Sequence, residues 1–201
     1  HLPYSDDTII TDMTPQQIID YGIKLKLIER IPHILGDIIQ VAGKQAALLS
    51  YFRNNILHVF ILLSFLSALV ARNGRIERSR LNSIAEQLYP FLQSELFLYY
   101  SAHGLQETLN KKVDSLLASG LIVELGDGML SVPETNSKCY QQLQVLATPV
   151  EQSLERYFMT LALLAQQGSG NLTENEVVDL CHLLGQRLSV LYADDIPDFF
   201  D

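Results

Sequence analysis

The sequence predicts a mainly α protein: a multi-helix domain with one small β-hairpin, partly winged-helix-like in outline. Three observations carry this. Apolar residues recur every three or four positions over most of the chain. Two of these periodic segments are preceded by capping boxes, Thr14 with Gln17 and Thr173 with Glu176. The period shortens to that of strands chiefly around 121–132, where Gly126, Asp127 and Gly128 form a hairpin-turn signal.

Residues 1–13 read as an extended lead-in. A helix then begins at Thr14, with Pro15 suited to the first helical position. Pro32 and Gly36 close that region, and the short β-branched run 37–41 is a candidate extended segment. From Lys44 to Arg72 there is no Pro or Gly, so one long helix is expected. Its part 56–71 has only His58, Ser64 and Ser67 as polar residues. Such a stretch is either a central core helix buried all round or a membrane-embedded or interfacial helix, and it is short for a span of about 20 residues. Asn73, Gly74 and Arg75 make a turn.

Residues 76–100 have helical period, with Ile76, Leu81, Ile84, Leu88, Phe91, Leu92 and Leu96 on one stripe. Pro90 is expected to kink or divide that helix. Leu105, Leu109, Val113, Leu116 and Leu117 mark another helix, with Gly120 placed as its C-terminal cap. After the hairpin, a helix is expected over about 136–166, open to a break at Pro149. The last helix, capped by Thr173, runs to about Leu191.

With 201 residues, 48% of them hydrophobic and 18% charged, the chain can build a core and is unlike a disordered one. Trp is absent, so aliphatic side chains must fill that core. Cys139 and Cys181 lie far apart and read as two free buried thiols. No metal cluster, phosphate-binding Gly loop or nucleophile elbow is visible, and no cofactor is implied. The net charge of -9 is uneven: residues 1–100 balance, while 101–201 carry five Lys/Arg against fourteen Asp/Glu. That half repels nucleic acid and anionic lipid.

The series helix 76–89, helix 105–119 and hairpin 121–132 outlines a winged helix. In a DNA reader, 105–119 would enter the major groove. Its Glu107, Lys111, Lys112 and Asp114 cancel, and the hairpin offers Glu124 and Asp127 but no Lys or Arg. The outline therefore suits a scaffold better than a nucleic-acid grip. Two polar groups stand out. Arg72, Arg75, Arg78 and Arg80 directly follow the most apolar helix; they are a solvated turn or a contact for anionic headgroups or an acidic carrier. Arg53, Asn54 and Asn55 interrupt an otherwise apolar helix; they are an anchoring network or a site for an anionic group.

Six blocks, in order, carry a resemblance: "PYSDD", "GDIIQ", "SYFRNNILH", "LYPFLQSELFLYY", "ERYFMTLALL" and "GQRLSVLYADDIPDFFD". Together they resemble the C-terminal region of bacterial membrane-associated glycerol-3-phosphate acyltransferase, from Pro3 to Asp201. Where that family usually has a Pro-Arg-Glu-Gln type sequence, this chain has "AGKQ" at 42–45.

The resemblance implies the first acylation of phospholipid synthesis. An acyl group passes from acyl carrier protein or coenzyme A to the 1-hydroxyl of glycerol 3-phosphate, yielding lysophosphatidate. In the family, the His of a His-x4-Asp block acts as general base. That block lies upstream of the part "PYSDD" matches, so the His1 and Asp6 pair, although correctly spaced, reads as coincidence. The chain is thus expected to be one C-terminal helical domain, 1–201, of a larger enzyme, with the catalytic domain upstream and no catalytic residue of its own. Sub-units 1–75, 76–135 and 136–201 are conceivable. The partners implied are the upstream catalytic domain, the acyl carrier protein or coenzyme A thioester, and inner-membrane lipid at its cytoplasmic face. Readings from other classes are a free-standing helical interaction module and a winged-helix DNA-binding regulator.

Overall fold

The computed structural model describes residues 11–41, 45–96, 98, 102–168 and 170–191. They form six helices and five short strands. Helix α1 (Pro15–Lys24) starts as the sequence requires: the Thr14 side chain accepts from the Gln17 N–H, and Gln17 reaches back to the Thr14 N–H at 2.7 Å. It ends earlier than its apolar run. Lys26 adopts φ +59°, and Lys26 and Leu27 donate back to the carbonyls of Ile23 and Gly22, closing a Schellman turn. Strands β1 (Ile28–Ile31) and β2 (Ile38–Val41) then pair antiparallel, Ile28 opposite Val41. The sequence marked β2 as extended but not β1, so the expected single hairpin is joined by a second.

Helix α2 (Gln45–Asn73) is the axis of the fold. All ten residues from Ile61 to Val70 are buried, which is the all-round burial expected of a core helix. Among the described residues it is the one helix, over Asn55–Asn73, long and apolar enough to cross a membrane by length and composition. Here much of its apolar surface faces protein. By contrast, most of the part before Leu57 is exposed or only half-buried. Gly74, at φ +68°, ends α2 and turns the chain into β3 (Arg75–Glu77). Ile76 therefore belongs to a strand, not to the helix that follows.

Helix α3 (Arg78–Leu96) continues through Pro90, which exposes its own face to solvent while Tyr89 and Leu92 beside it are buried. A proline costs a helix interior about 3 kcal/mol, and burial of those two side chains is of the same order, so the helix is not divided. Helix α4 (Ala102–Ala118) ends in a Schellman turn at Gly120, φ +68°. Strands β4 (Val123–Glu124) and β5 (Met129–Ser131) complete a three-stranded antiparallel sheet of order β3-β5-β4, with Ile76 opposite Leu130. The succession α2-β3-α3-α4-β4-β5 is that of a winged helix. Helix α5 (Lys138–Gln167) also runs unbroken through its proline, Pro149, with Ala147 and Val150 buried alongside. Helix α6 (Glu174–Leu191) has the expected Thr173–Glu176 capping box.

Helices α3, α4 and α5 surround the buried part of α2. Leu81, Ala85, Tyr89 and Leu92 of α3, Leu105, Leu109, Val113 and Leu116 of α4, and Leu143, Ala147 and Val150 of α5 form one cluster with it. Small residues set the closest approach: Ser64 donates to the Ala147 carbonyl at 3.2 Å. Arg72 lies against Glu151 and Glu155, so α2 and α5 run side by side in the same direction. The consequence for stability is graded. Leu66→Ala should cost about 2–5 kcal/mol, because the cavity forms where helices meet on every side. Ser64→Ala should cost only about 1 kcal/mol, the net value of one hydrogen bond. Urea denaturation of the two variants checks this order; a Ser64 variant losing as much as the Leu66 variant would contradict it.

Candidate functional site

The four arginines that the sequence groups at 72–80 are divided by the fold. Arg72, at the end of α2, points across to α5 and pairs with Glu155 at 3.4 Å and Glu151 at 3.8 Å. Arg78, in the first turn of α3, points the other way. Its guanidinium donates to Asp114 of α4 at 2.8 Å and approaches the carbonyl and side-chain oxygens of Asn110 at 3.3 and 3.4 Å. Asn82 joins this cluster by donating to Asn110 at 2.9 Å. Arg78 is thus 29% exposed and acts as a brace between α3 and α4. The four do not form one patch: Arg72 ends α2, Arg75 lies on β3, and Arg78 and Arg80 begin α3, so each meets different neighbours. Arg75 and Arg80 are exposed. Arg75 sits on β3, opposite Ser131.

Beside Arg72 lies a groove of about 250 Å3 between α3 and α5. Leu88 and Phe91 form one wall, and Leu154, Phe158 and Leu161 the other. Tyr157, which also lines the groove, belongs to a polar knot that the sequence did not disclose. Glu95 of α3 accepts from Ser153 at 3.2 Å, Arg156 at 2.8 Å and the Tyr157 hydroxyl at 2.6 Å. The same hydroxyl is 2.9 Å from the Phe91 carbonyl. Burial, and then the neighbouring Glu95 carboxylate, push the Tyr157 phenol well above its ordinary value of 10.0. No spacing rule links positions some sixty residues apart. The only sequence signal was the pair Arg156-Tyr157 on an otherwise apolar helical stripe.

The third group, Arg53, Asn54 and Asn55, lies in the first half of α2, beyond the bundle. Arg53 and Asn55 are exposed there, as are Tyr51, Phe52 and Ile56. Tyr51 and Phe52 meet edge-to-face at 5.9 Å between ring centres. This segment is not brought together with the arginines at 72–80: Arg53 and Arg72 are 19 positions apart on one helix, or about 28 Å.

The wing-like face offers little to an anion. On α4, Lys111 pairs with Glu107 at 2.8 Å, Lys112 is buried, and Asp114 takes Arg78. The Lys111 ammonium holds the Glu107 carboxyl below its ordinary range. Among the described residues no group of three His, Cys, Asp or Glu is placed to hold a metal ion. Cys139 and Cys181 are free and half-buried, less enclosed than expected; Cys181 lies 3.6 Å from the Thr160 hydroxyl. His1 and Asp6 fall outside the described residues.

Comparison with known proteins adds the relation that geometry cannot. A family model described as glycerol-3-phosphate acyltransferase C-terminal region matches residues 1–201. The chain is 36% identical over 203 residues to the glycerol-3-phosphate acyltransferase of Xylella fastidiosa strain 9a5c, covering 100% of this chain and 23% of that protein. It is equally 36% identical, with the same coverage, to the protein of that name from Xanthomonas axonopodis pv. citri. A third, from Pseudomonas paraeruginosa, is 36% identical over 200 residues, or 24% of its length. The chain therefore spans about a quarter of the length of these relatives. No solved structure matches it.

Two outcomes follow from the polar contacts. Arg78→Ser should lower stability by about 1 kcal/mol, a charge-assisted bond discounted for the exposure of Asp114, whereas Arg80→Ser should change it by less than about 0.5 kcal/mol. Chemical denaturation of each variant measures this, and equal effects would remove the brace. For Tyr157, the phenol is held protonated in the fold above its unfolded value. Its contribution to stability is therefore complete below about pH 10 and declines as pH rises beyond it. Tyr157→Phe should flatten the alkaline fall in melting temperature; an unchanged alkaline profile would show that the phenol does not contribute.

Proposed function

The chain belongs to the glycerol-3-phosphate acyltransferase C-terminal region family, and from that premise we propose that it is the C-terminal, non-catalytic part of a glycerol-3-phosphate 1-O-acyltransferase. The observation that carries this reading is the match of all 201 residues to the C-terminal region, together with relatives bearing that enzyme's name over which the chain spans 23%. In the reaction, the 1-hydroxyl of glycerol 3-phosphate attacks the thioester carbonyl of acyl carrier protein or coenzyme A. A base removes the hydroxyl proton, the thiol leaves, and lysophosphatidate results. That base belongs to the upstream catalytic domain, with which this domain is associated.

The part played by this domain is scaffolding and attraction. A rigid bundle around α2 holds β3 and the start of α3 in place, and there Arg75 and Arg80 remain exposed. They face anionic headgroups at the cytoplasmic side of the inner membrane, or the acidic acyl donor. Each such cation contributes on the order of 1 kcal/mol near an anionic surface. Arg72 and Arg78 contribute less, because Glu155 and Asp114 already neutralise them. Arg53, about 28 Å from Arg72, and Asn55, with Asn54 between them in sequence, lie on the projecting part of α2 and offer a separate polar surface there. The winged-helix succession serves as scaffold: the charges of α4 offer no stripe for a phosphate backbone.

Full-length enzyme carrying this region should acylate glycerol 3-phosphate, while the 201-residue chain alone should not. Turnover by the chain alone would overturn the non-catalytic reading, and inactive full-length enzyme in membranes would overturn the assignment itself. In that enzyme, Arg75→Ser combined with Arg80→Ser should weaken binding to anionic vesicles, or raise the apparent KM for an acidic carrier, more at low salt than at high. Identical binding and turnover at all salt concentrations would make the two arginines an ordinary solvated face.

A further inference from the structure

The first quarter of the described chain contributes nothing to the buried core, which runs from Leu57 to Val150. Among the described side chains of residues 11–41 and 45–56, none is buried. Helix α1 does pack on the hairpin: a methyl group at Gly22 would come within 2.8 Å of Ile28. The strand register puts Ile28 and Val41 on the face toward α1, and Ile31 and Ile38 on the other face. Those two sit at the end of the hairpin next to its loop, where Ile34 is 96% and Leu35 89% exposed. Four apolar side chains thus crowd one tip in water. A two-stranded hairpin is marginal by itself, and an exposed apolar patch of this kind marks a contact surface. The projecting start of α2 presents a second patch, with Tyr51 63% and Phe52 52% exposed.

We propose that the β1–β2 tip and the start of α2 are docking surfaces for the part of the enzyme that precedes this region in its longer relatives; the proposal rests on the acyltransferase reading above. Two observations favour that occupant. The relatives carry this region as 23% of their length and it matches a C-terminal region, so most of their chain precedes it and adjoins the side where α1, the hairpin and the start of α2 lie. Charge speaks for a protein surface over an anionic bilayer. Residues 11–41 hold three Lys/Arg against four Asp/Glu, and Arg30 is already held by Asp20 at 3.2 Å and Asp37 at 3.4 Å. Among the described residues no basic collar surrounds the tip, and Arg53 is the only charged residue of α2 before Arg72. The uncovered apolar side chains also include Ile18 and Tyr21 of α1, and a protein can enclose several faces where a bilayer covers one.

The test is site-specific photo-crosslinking in the full-length enzyme in its membranes. A benzophenone amino acid replaces Leu35 in one variant and Tyr51 in another; both side chains are exposed, so neither substitution disturbs the bundle. Both should give adducts with peptides from the preceding part of the same chain. Adducts with lipid only, with a second copy or another protein, or no adduct would overturn the proposal. Glycerol 3-phosphate acylation is measured on the same preparations. Activity without intramolecular adducts sinks the docking proposal alone; intramolecular adducts in a full-length chain that cannot acylate sink the function and leave the docking.

Discussion

The all-round burial of Ile61–Val70 is the constraint on which the rest of the fold depends. An α-helix that is apolar on every face must find partners on every side. Helices α3, α4 and α5 supply them, and each offers a stripe of leucine, valine, alanine or tyrosine at helical spacing. Each fully buried side chain of this size contributes about 1.5–3 kcal/mol. That is enough for the flanking helices to run on through Pro90 and Pro149, the positions at which an isolated helix would break. Ser64 and Ser67 on the buried part of α2 show the other side of the same constraint. A small side chain lets α5 approach closely, and the Ser64 hydroxyl is satisfied on the Ala147 carbonyl.

Orientation then comes from charges rather than from the core. Arg78 holds α3 to α4, Arg72 reaches from α2 to α5, and Glu95 gathers three donors of α5 onto α3. Apolar faces alone allow helices to slide and rotate. Bonds to fixed partners select one register. This use of arginine distinguishes members of the 72–80 segment, since two of its four cations, Arg72 and Arg78, already sit beside carboxylates of the fold.

Burial is unequal along the chain, and the inequality has a direction. The winged-helix part and the first half of α5 close around α2, while α1, β1, β2 and the start of α2 contribute no buried residue to that core and expose apolar side chains, as does the second half of α5. A region that is about a quarter of its relatives' length has no need to bury all of its own surface.

Much of the secondary structure was determined by the sequence itself, because the signals are local. Thr14 and Thr173 cap their helices through residues three positions on, Gly120 ends α4, and the apolar run without Pro or Gly makes α2. The family, too, was legible, because its blocks are contiguous. What the tertiary structure alone decided depends on residues distant in sequence. Lys26 took a left-handed turn usually left to glycine, ending α1 early and freeing β1 to pair with β2. Ile76 left the helical stripe because Leu130, fifty-four positions away, offered a strand partner. The four arginines look alike in the sequence and differ in the fold because Asp114 and Glu155 stand beside two of them. Period and capping act within one turn, so the sequence displays them; the partner of a charge is chosen by packing, which only the folded chain brings about.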